Sequence, residues 1–434
     1  MTTSQHPVVI VGGGIAGLTA AALLGRDGVP VVLVEKASTP GGRATTRNRN
    51  GFLFNLGPHA LYRAGVLHQT LKTLGVTVRG GVPGAGGGYA IYEGRLHTLP
   101  TGLTSLISTG LLSLSAKFEL ARFQTRLAAI DTNAIRNEPL GSWLEANISD
   151  ATVRQLLAML TRVTTFTNDL AHQSAGAALE QIKLGVKANA LYLDGGWQTI
   201  VDGLRRAAIA NGARIVTGAH ANDFEVGRPE GLRDNGDRGA VTAVRLADGS
   251  SIPASGVIIA GAPADVDALA GTAFAAQMTP VRVATLDIAL RSLPNPRANV
   301  AFGVDVPWYY SVHSAVANLA PPGQALIHVA KYLRPGERAR HDVEEELESV
   351  MDLMQPGWQT RVEHKQFVPS LTVTHAEITT AAAPTGSGLQ PFDNVFIAGD
   401  WVGPRGQLSD RAAASAADAV AAVQTRHRQL RAIA

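Results

Sequence analysis

The stretch Gly12-Gly13-Gly14-Ile15-Ala16-Gly17 constrains this chain more than any other. It follows the apolar run from Val8 to Val11 and opens an alanine- and leucine-rich segment of helical spacing that ends near Arg26. After it, the residues from Val31 to Glu35 read as a second strand, so the opening is a βαβ unit. In that context Gly12 permits the tight turn, Gly14 lets backbone approach a pyrophosphate, and Gly17 allows close packing of helix on strand. Ile15 and Ala16 begin a helix whose free N–H groups and dipole favour an anion. Glu35, with Lys36 behind it, can accept from both hydroxyls of a ribose and would repel a 2′-phosphate. The turn therefore predicts a bound dinucleotide, NAD or FAD, and disfavours NADP.

With 434 residues the chain exceeds what one hydrophobic core usually organises, and two domains are expected. Hydrophobic residues at 45% and charged residues at 17% suit a compact fold. The 38 basic and 35 acidic side chains are scattered, which argues against a nucleic-acid partner. The absence of cysteine excludes disulfides, thiolate metal sites and a cysteinyl link to a cofactor. No zinc-helix, phosphate-loop or nucleophile-elbow motif is present, and no metal site is expected. The apolar run from Val8 enters a glycine loop instead of a cleavage site, so a secretory signal is not expected. From Thr98 to Ala116 no charge occurs, yet Pro100, Gly102 and Gly110 interrupt the stretch, which argues against a spanning helix. A cytoplasmic location follows as an expectation, with peripheral contact at a membrane compatible with that uncharged stretch.

The middle of the chain predicts helices from Ala64 to Leu74, Ala116 to Ala129 and Asp150 to Leu160, read as a helical cap. Strand-helix alternation returns at Gly195-Gly196, with a helix from Gln198 to Ala210 and a strand from Arg214 to Thr217. A hairpin is expected from Ala240 to Leu246 and Ser251 to Ala260 about the Asp248-Gly249 turn, with Gly231 to Gly239 a loose loop and Gly84 to Gly88 another. Longer strands from Val283 to Leu290 and Ala325 to Ala330, and an acidic helix from Asp342 to Met354, suggest a second domain segment. The chain then returns to a strand from Asn394 to Ala398 and a helix from Ala412 to Thr425. The fold class expected is α/β: a Rossmann-type domain with a mixed, mainly parallel sheet from residues 1–90, 190–275 and 385–434, and a discontinuous α+β substrate domain from 91–189 and 276–384.

Two further motifs separate FAD from NAD. Pro40-Gly41-Gly42-Arg43 follows Glu35, and Phe396-Ile397-Ala398-Gly399-Asp400-Trp401 comes near the end. Together with the first glycine turn they resemble the superfamily of amine oxidases, protoporphyrinogen oxidases and phytoene desaturases. The resemblance is strong over roughly the first sixty and last forty residues. Tyr92-Glu93-Gly94-Arg95-Leu96-His97-Thr98-Leu99-Pro100 and the segment from Trp308 to Leu333 are similar to the phytoene-dehydrogenase-like branch. The resemblance implies non-covalent FAD, with Gly41 and Gly42 passing close to it and Arg43 neutralising phosphate. It also implies Gly399 and Asp400 holding a ribityl hydroxyl, with Gln407 and Leu408 bringing a helix N-terminus toward the flavin. Gly57, Pro58, His59 and Trp401 are further candidates beside the cofactor. One departure from the family is Asp410-Arg411-Ala412, where a Gly-Ala pair is usual; Arg411 or Arg405 could then alter what meets the flavin.

The activity implied is hydride removal from a C–C or C–N bond of an apolar or amphipathic small molecule to flavin N5, with oxygen or a quinone as acceptor. His59 and, more weakly, Lys331 are the candidate catalytic groups, and Trp308, Tyr309 and Tyr310 are candidates for lining a substrate tunnel. Desaturation ranks ahead of amine oxidation because no amine-pocket lysine or aromatic pair is evident. A flavin isomerase without net redox turnover and a lipid-carrying escort with no redox chemistry are the other readings.

Overall fold

The computed structural model describes residues 6–84, 88–227, 239–338, 340–381, 385–390 and 392–433. Five strands form a parallel sheet in the order Arg214–Thr217, Val31–Glu35, Val8–Val11, Gly256–Ile259 and Val395–Ile397. Its centre is buried on both faces: Ile10 lies beside Leu33 and Ile258, all 0% exposed, as the near-continuous apolar runs require. Helices Ile15–Arg26, Gln198–Ala210 and Leu408–Ile433 cover one face. Strands Ala221–Gly227, Ala240–Leu246 and Ser251–Pro253 form an antiparallel layer over the other.

The hairpin expected through Ala260 is shorter. Ser251–Pro253 does pair back on Ala240–Leu246, but the Ser255 amide then bonds the Pro7 carbonyl and hands the chain to the parallel sheet as Gly256–Ile259. One apolar run thus serves two sheets. The loops expected at Gly231 to Gly239 and Gly84 to Gly88 lie largely outside the described residues.

A second, seven-stranded sheet runs Val362–Thr374, Val281–Leu290, Ala325–Tyr332, Trp308–Val312, Val300–Gly303, Tyr89–Tyr92 and Arg95–Thr98. The acidic helix Val343–Met354 seals its outer face over Leu286, Ile288, Tyr310 and Val329. The inner face looks toward the parallel-sheet layers and toward a cap of helices that includes Leu114–Arg126, Leu140–Asn147, Ala151–Thr165 and Ala175–Ala188. Among the described residues no helix is long and apolar enough to cross a membrane.

Candidate functional site

A cleft of about 570 Å³ runs across the carboxyl ends of the parallel strands and under the inner face of the second sheet. At one end it is walled by backbone. Gly12 has φ +107° and a Cβ there would meet the Ala260 carbonyl oxygen at 2.5 Å, so only glycine makes this turn. A Cβ on Gly17 would lie 1.9 Å from the Gly12 oxygen; Gly17 does not line the cleft but lets helix Ile15–Arg26 close onto the turn. At Gly14 a Cβ would meet nothing within 4 Å, because it would project into the cleft that Gly14, Ile15 and Ala16 line.

Glu35 is held by two backbone donors, the Gly13 amide at 2.6 Å and the Ala37 amide at 2.8 Å, one to each carboxylate oxygen. That fixes its orientation and leaves further lone pairs on both oxygens. Lys36 also lines this end and pairs with Asp265 at 2.9 Å.

The second glycine pair is tied to the first turn by the Gly41 amide donating to the Gly13 carbonyl at 2.8 Å. Gly41 and Gly42, both at positive φ, give the cleft another bare wall. Arg43 reaches across the molecule: one nitrogen donates to the Asp400 carboxylate and to the Val373 carbonyl, each at 2.8 Å. The His375 ring contacts the same carboxylate at 2.9 Å, and its backbone N–H donates to it at 3.3 Å. Burial alone would raise the Asp400 carboxyl, yet the Arg43 guanidinium, with His375, holds it well below the usual carboxylate range. Gly399 and Asp400 share the cleft with Leu408, Ser409 and Ala412 at the start of the last helix. That helix begins four residues earlier than its alanine run suggests and ends at Ile433.

At the far end the lining is side chain: Leu56, Pro58, His59, Phe166, Trp197, Val283 and Leu371. Gly57, at φ +72°, lies just beneath, close against Leu371 and Thr285. The His59 ring rests 4.9 Å from Trp197, and its Nδ1 is 3.1 Å from the Gly57 carbonyl oxygen. Burial pushes His59 down to about 4, so the ring is neutral at pH 7.

Below Gly57 a polar network continues into the sheet. Thr285 donates to Asp287 at 2.9 Å, and Asp287 pairs with His328 at 2.7 Å, both 0% exposed and directly opposite across two antiparallel strands. The His328 ring packs edge-on to His313 at 4.4 Å, and His313 bonds the Tyr309 hydroxyl at 3.0 Å and stacks on Tyr192.

Several expected site residues lie elsewhere. Lys331 is on the outer face of the second sheet, where it pairs with Glu346 at 2.7 Å under helix Val343–Met354. Trp308 donates to the same Glu346, and Tyr310 is buried against Gln355 and the Ala298 carbonyl. Strand alternation turns these three away from the cleft. Tyr309 alone of the aromatic trio faces inward, and it lies behind the lining, in a cluster with Val283, Tyr332, Phe166 and Leu371. Trp401 is fully buried against Phe274 and donates to the Gly261 carbonyl at 3.1 Å. Gln407 instead anchors the cap, donating to the Ala177 carbonyl at 2.6 Å.

Known proteins share the start of this chain's sequence and its overall fold. The family described as the NAD(P)-binding Rossmann-like domain matches residues 10–74. Hydroxyneurosporene desaturase of Rubrivivax gelatinosus is 44% identical over 73 residues, which is 17% of this chain and 14% of the desaturase. A structure from Exiguobacterium sp. 255-15 assigned as a protoporphyrinogen oxidase covers 99% of this chain and 100% of its own at 19% identity and TM-score 0.64. Putrescine oxidase with bound putrescine covers 97% and 99% at 14% identity and TM-score 0.68. The Rab GDI of Plasmodium falciparum covers 98% of each chain at 15% identity and TM-score 0.61. Residues 10–74 thus match the NAD(P)-binding Rossmann-like domain, and the fold of the whole chain is that of these solved structures.

The Asp410-Arg411 pair, which departs from the motif the C-terminal segment resembles, has a structural account. Asp410 accepts from the Leu67 amide at 2.8 Å and caps helix Val66–Thr73 from a distance; burial lifts its carboxyl to about 6. Arg411 is buried and donates to the Gly403 carbonyl, with burial drawing it down to about 10. Arg405 pairs with Asp418 on the surface. None of the three lines the large cleft.

Proposed function

We propose that this chain is an FAD-dependent oxidoreductase that removes a hydride from a C–C or C–N bond of an apolar or amphipathic small molecule, with oxygen or a quinone as the final acceptor. The observation that carries the reading is one continuous cleft lined by motifs from both ends of the chain, with Arg43 and Asp400 bonded across it at 2.8 Å. Non-covalent FAD fits: Gly14 and Gly42 leave open space where any side chain would obstruct a pyrophosphate, and 570 Å³ falls within the range of cofactor clefts. Residues 1–90, 190–275 and 385–434 are proposed as the cofactor-binding unit and the rest as the substrate unit.

Glu35 would hold the adenosine ribose, and the N-terminus of helix Ile15–Arg26 would face the pyrophosphate. Asp400 and the N-terminus of helix Leu408–Ile433 would hold the ribityl and ring end. FAD, when bound, supplies a hydride acceptor at its N5. The apolar lining from Leu56, Phe166, Val283 and Leu371 excludes water from the reacting end. His59, neutral at pH 7, would accept the proton that leaves the substrate as its hydride is removed. Desaturation ranks ahead of amine oxidation because, among the described residues, no cation-binding carboxylate lines the His59 end except Asp400, which Arg43 already neutralises.

The test is anaerobic reduction of the FAD-loaded protein by a panel of polyprenoids, porphyrinogens and amines. Bleaching of the flavin bands by an apolar member supports the reading, and bleaching by amines alone reverses the ranking. A colourless protein that takes up no FAD would instead favour an escort of the same fold.

A further inference from the structure

Between Val283 and Leu290 the only ionisable residue is Asp287, and between Ala325 and Ala330 the only one is His328. Their strands set them directly opposite each other at 2.7 Å, both 0% exposed. A buried pair of this kind adds little stability over apolar packing, so its position beneath Gly57 points to a role in the site above. Its hydrogen bonding is also unfinished. Asp287 Oδ2, His328 Nε2 and His313 Nδ1 are buried and have no hydrogen-bond partner among the described residues, although buried polar atoms are nearly always paired. A free imidazole nitrogen near a carboxylate is a place where a proton can be added and removed.

Electrostatics limits the cluster to one added proton. His59 is governed first by burial; of its charged neighbours, His328 opposes a proton on the ring and Asp287 favours one. His313 is held well below 6.5 by burial and, after that, by His328 and His59. Each imidazole thus works against a proton on the others, and they titrate as a unit about one carboxylate. The remaining groups that face the pair take no part. Burial raises the Tyr309, Tyr192 and Tyr332 hydroxyls above 10. The edge strand sets Gln366 opposite Asp287, held by the Arg49 guanidinium at 2.8 Å, and Ser311 lies opposite His328. Arg162, near Tyr332, is engaged by the Gly303 and Val304 carbonyls, and Arg43 and Asp400 answer each other.

We propose that the cluster of Asp287, His328 and His313 stores the proton that substrate oxidation releases and returns it when the flavin is reoxidised. This rests on the FAD reading and adds a second site to it. Forming the new double bond breaks two bonds to hydrogen. One hydrogen leaves as a hydride to flavin N5, and the other leaves as a proton by way of His59 to the cluster. An acceptor of the oxygen or quinone class then takes two electrons and two protons, one proton from N5 and one from the cluster, and both return to their starting states. In the interval the negative charge on the reduced ring and the proton below it offset each other behind an apolar wall, where either alone would be costly.

Midpoint potentials of the FAD-loaded full chain, equilibrated with a reference dye across about pH 6 to 8, test the proposal without a substrate. Each proton taken up per two electrons changes the equilibrium tenfold per pH unit, which is about 30 mV for a two-electron couple. The parent should therefore fall by about 60 mV per pH unit, one proton for the ring and one for the cluster, while Asp287→Asn and His328→Gln should each fall by about 30 mV. Flavin content should equal the parent's in both variants. A parent slope of about 30 mV overturns the proposal whether or not the variants fold, and so do folded variants that keep the parent's slope. A reduced ring with the absorption of its neutral form overturns it too, since the second proton then sits on the ring. A chain that takes up no FAD removes the cofactor reading and this inference together, whereas a loaded chain with the shallower slope removes the inference alone.

Discussion

Next to Glu35 the cleft wall is bare backbone, whereas next to His59 it is side chain, and the two ends answer differently to substitution. Around Gly12, Gly14 and Gly42 the surface is set by φ angles and missing Cβ atoms, which a short sequence can encode by itself. Around His59, Phe166 and Leu371 the surface is assembled from residues a hundred or more positions apart and depends on strand register. The first construction suits one fixed ligand, and the second can change its ligand by changing side chains without touching the fold.

The largest effects should divide two glycines of the same turn. Gly17→Val drives a Cβ into the Gly12 carbonyl and should cost about 4 kcal/mol or more of stability, seen as loss of folding in a thermal melt. At Gly14 a Cβ would meet nothing within 4 Å, so the FAD-free Gly14→Val variant should melt close to the parent yet retain no flavin. Equal melting with full flavin in the Gly14 variant would break the contrast.

At the junction of the two ends, Asp400→Asn should destabilise by about 2 kcal/mol at pH 7, a figure below that of fully buried pairs because Arg43 is partly exposed. The sign with pH follows from a native pKa below the unfolded value of 3.8. The carboxylate's contribution is complete above that value and is lost as pH falls through the native pKa, so urea melts of parent and variant should converge on acidification.

Glu377 works in the opposite sense: burial, with Asp169 nearby, raises it from 4.5 to about 8, and its Oε1 has no hydrogen-bond partner among the described residues. Its relative stabilisation is present below pH 4.5 and lost as pH rises through about 8. Glu377→Gln should therefore match the parent near pH 4 and melt a few degrees higher at pH 8 and above. Smallest of all, Lys331→Met should leave flavin content unchanged and shift stability by no more than about 1 kcal/mol, since the ammonium serves only a carboxylate pair on the outer face. A loss of flavin in that variant would blur the distinction between inner and outer sheet faces.

Legibility in the sequence follows the same division. The segments Val8–Val11, Ile15–Arg26, Val31–Glu35, Gln198–Ala210 and Arg214–Thr217 are read from the chain with their boundaries, because glycine turns and apolar periodicity are local signals. Helix Ala175–Ala188 escapes notice because its buried face is largely glycine and alanine, which give weak amphipathic contrast. Strand Val362–Thr374 escapes because it is an edge strand, half exposed and interrupted by Pro369.

The same limits apply to the site. His375 reaches Asp400 only because that edge strand ends there, and no motif announces it. Asp287 and His328 leave a trace: each is the one ionisable residue in the apolar stretch expected as strand, Val283 to Leu290 and Ala325 to Ala330. Their pairing needed the register between the strands, which sequence does not carry. Lys331, Trp308 and Tyr310 fail for the complementary reason, since strand membership without the identity of the inner face cannot say which way a side chain points.

A structure of the chain crystallised with FAD tests the central claim most directly. The account predicts the adenosine ribose on the Glu35 carboxylate, the pyrophosphate over Gly14, and the ring end between Asp400 and the start of the Leu408–Ile433 helix, facing His59. A cofactor bound elsewhere, or one that meets the glycine turn without touching Asp400 or Leu408, would contradict it.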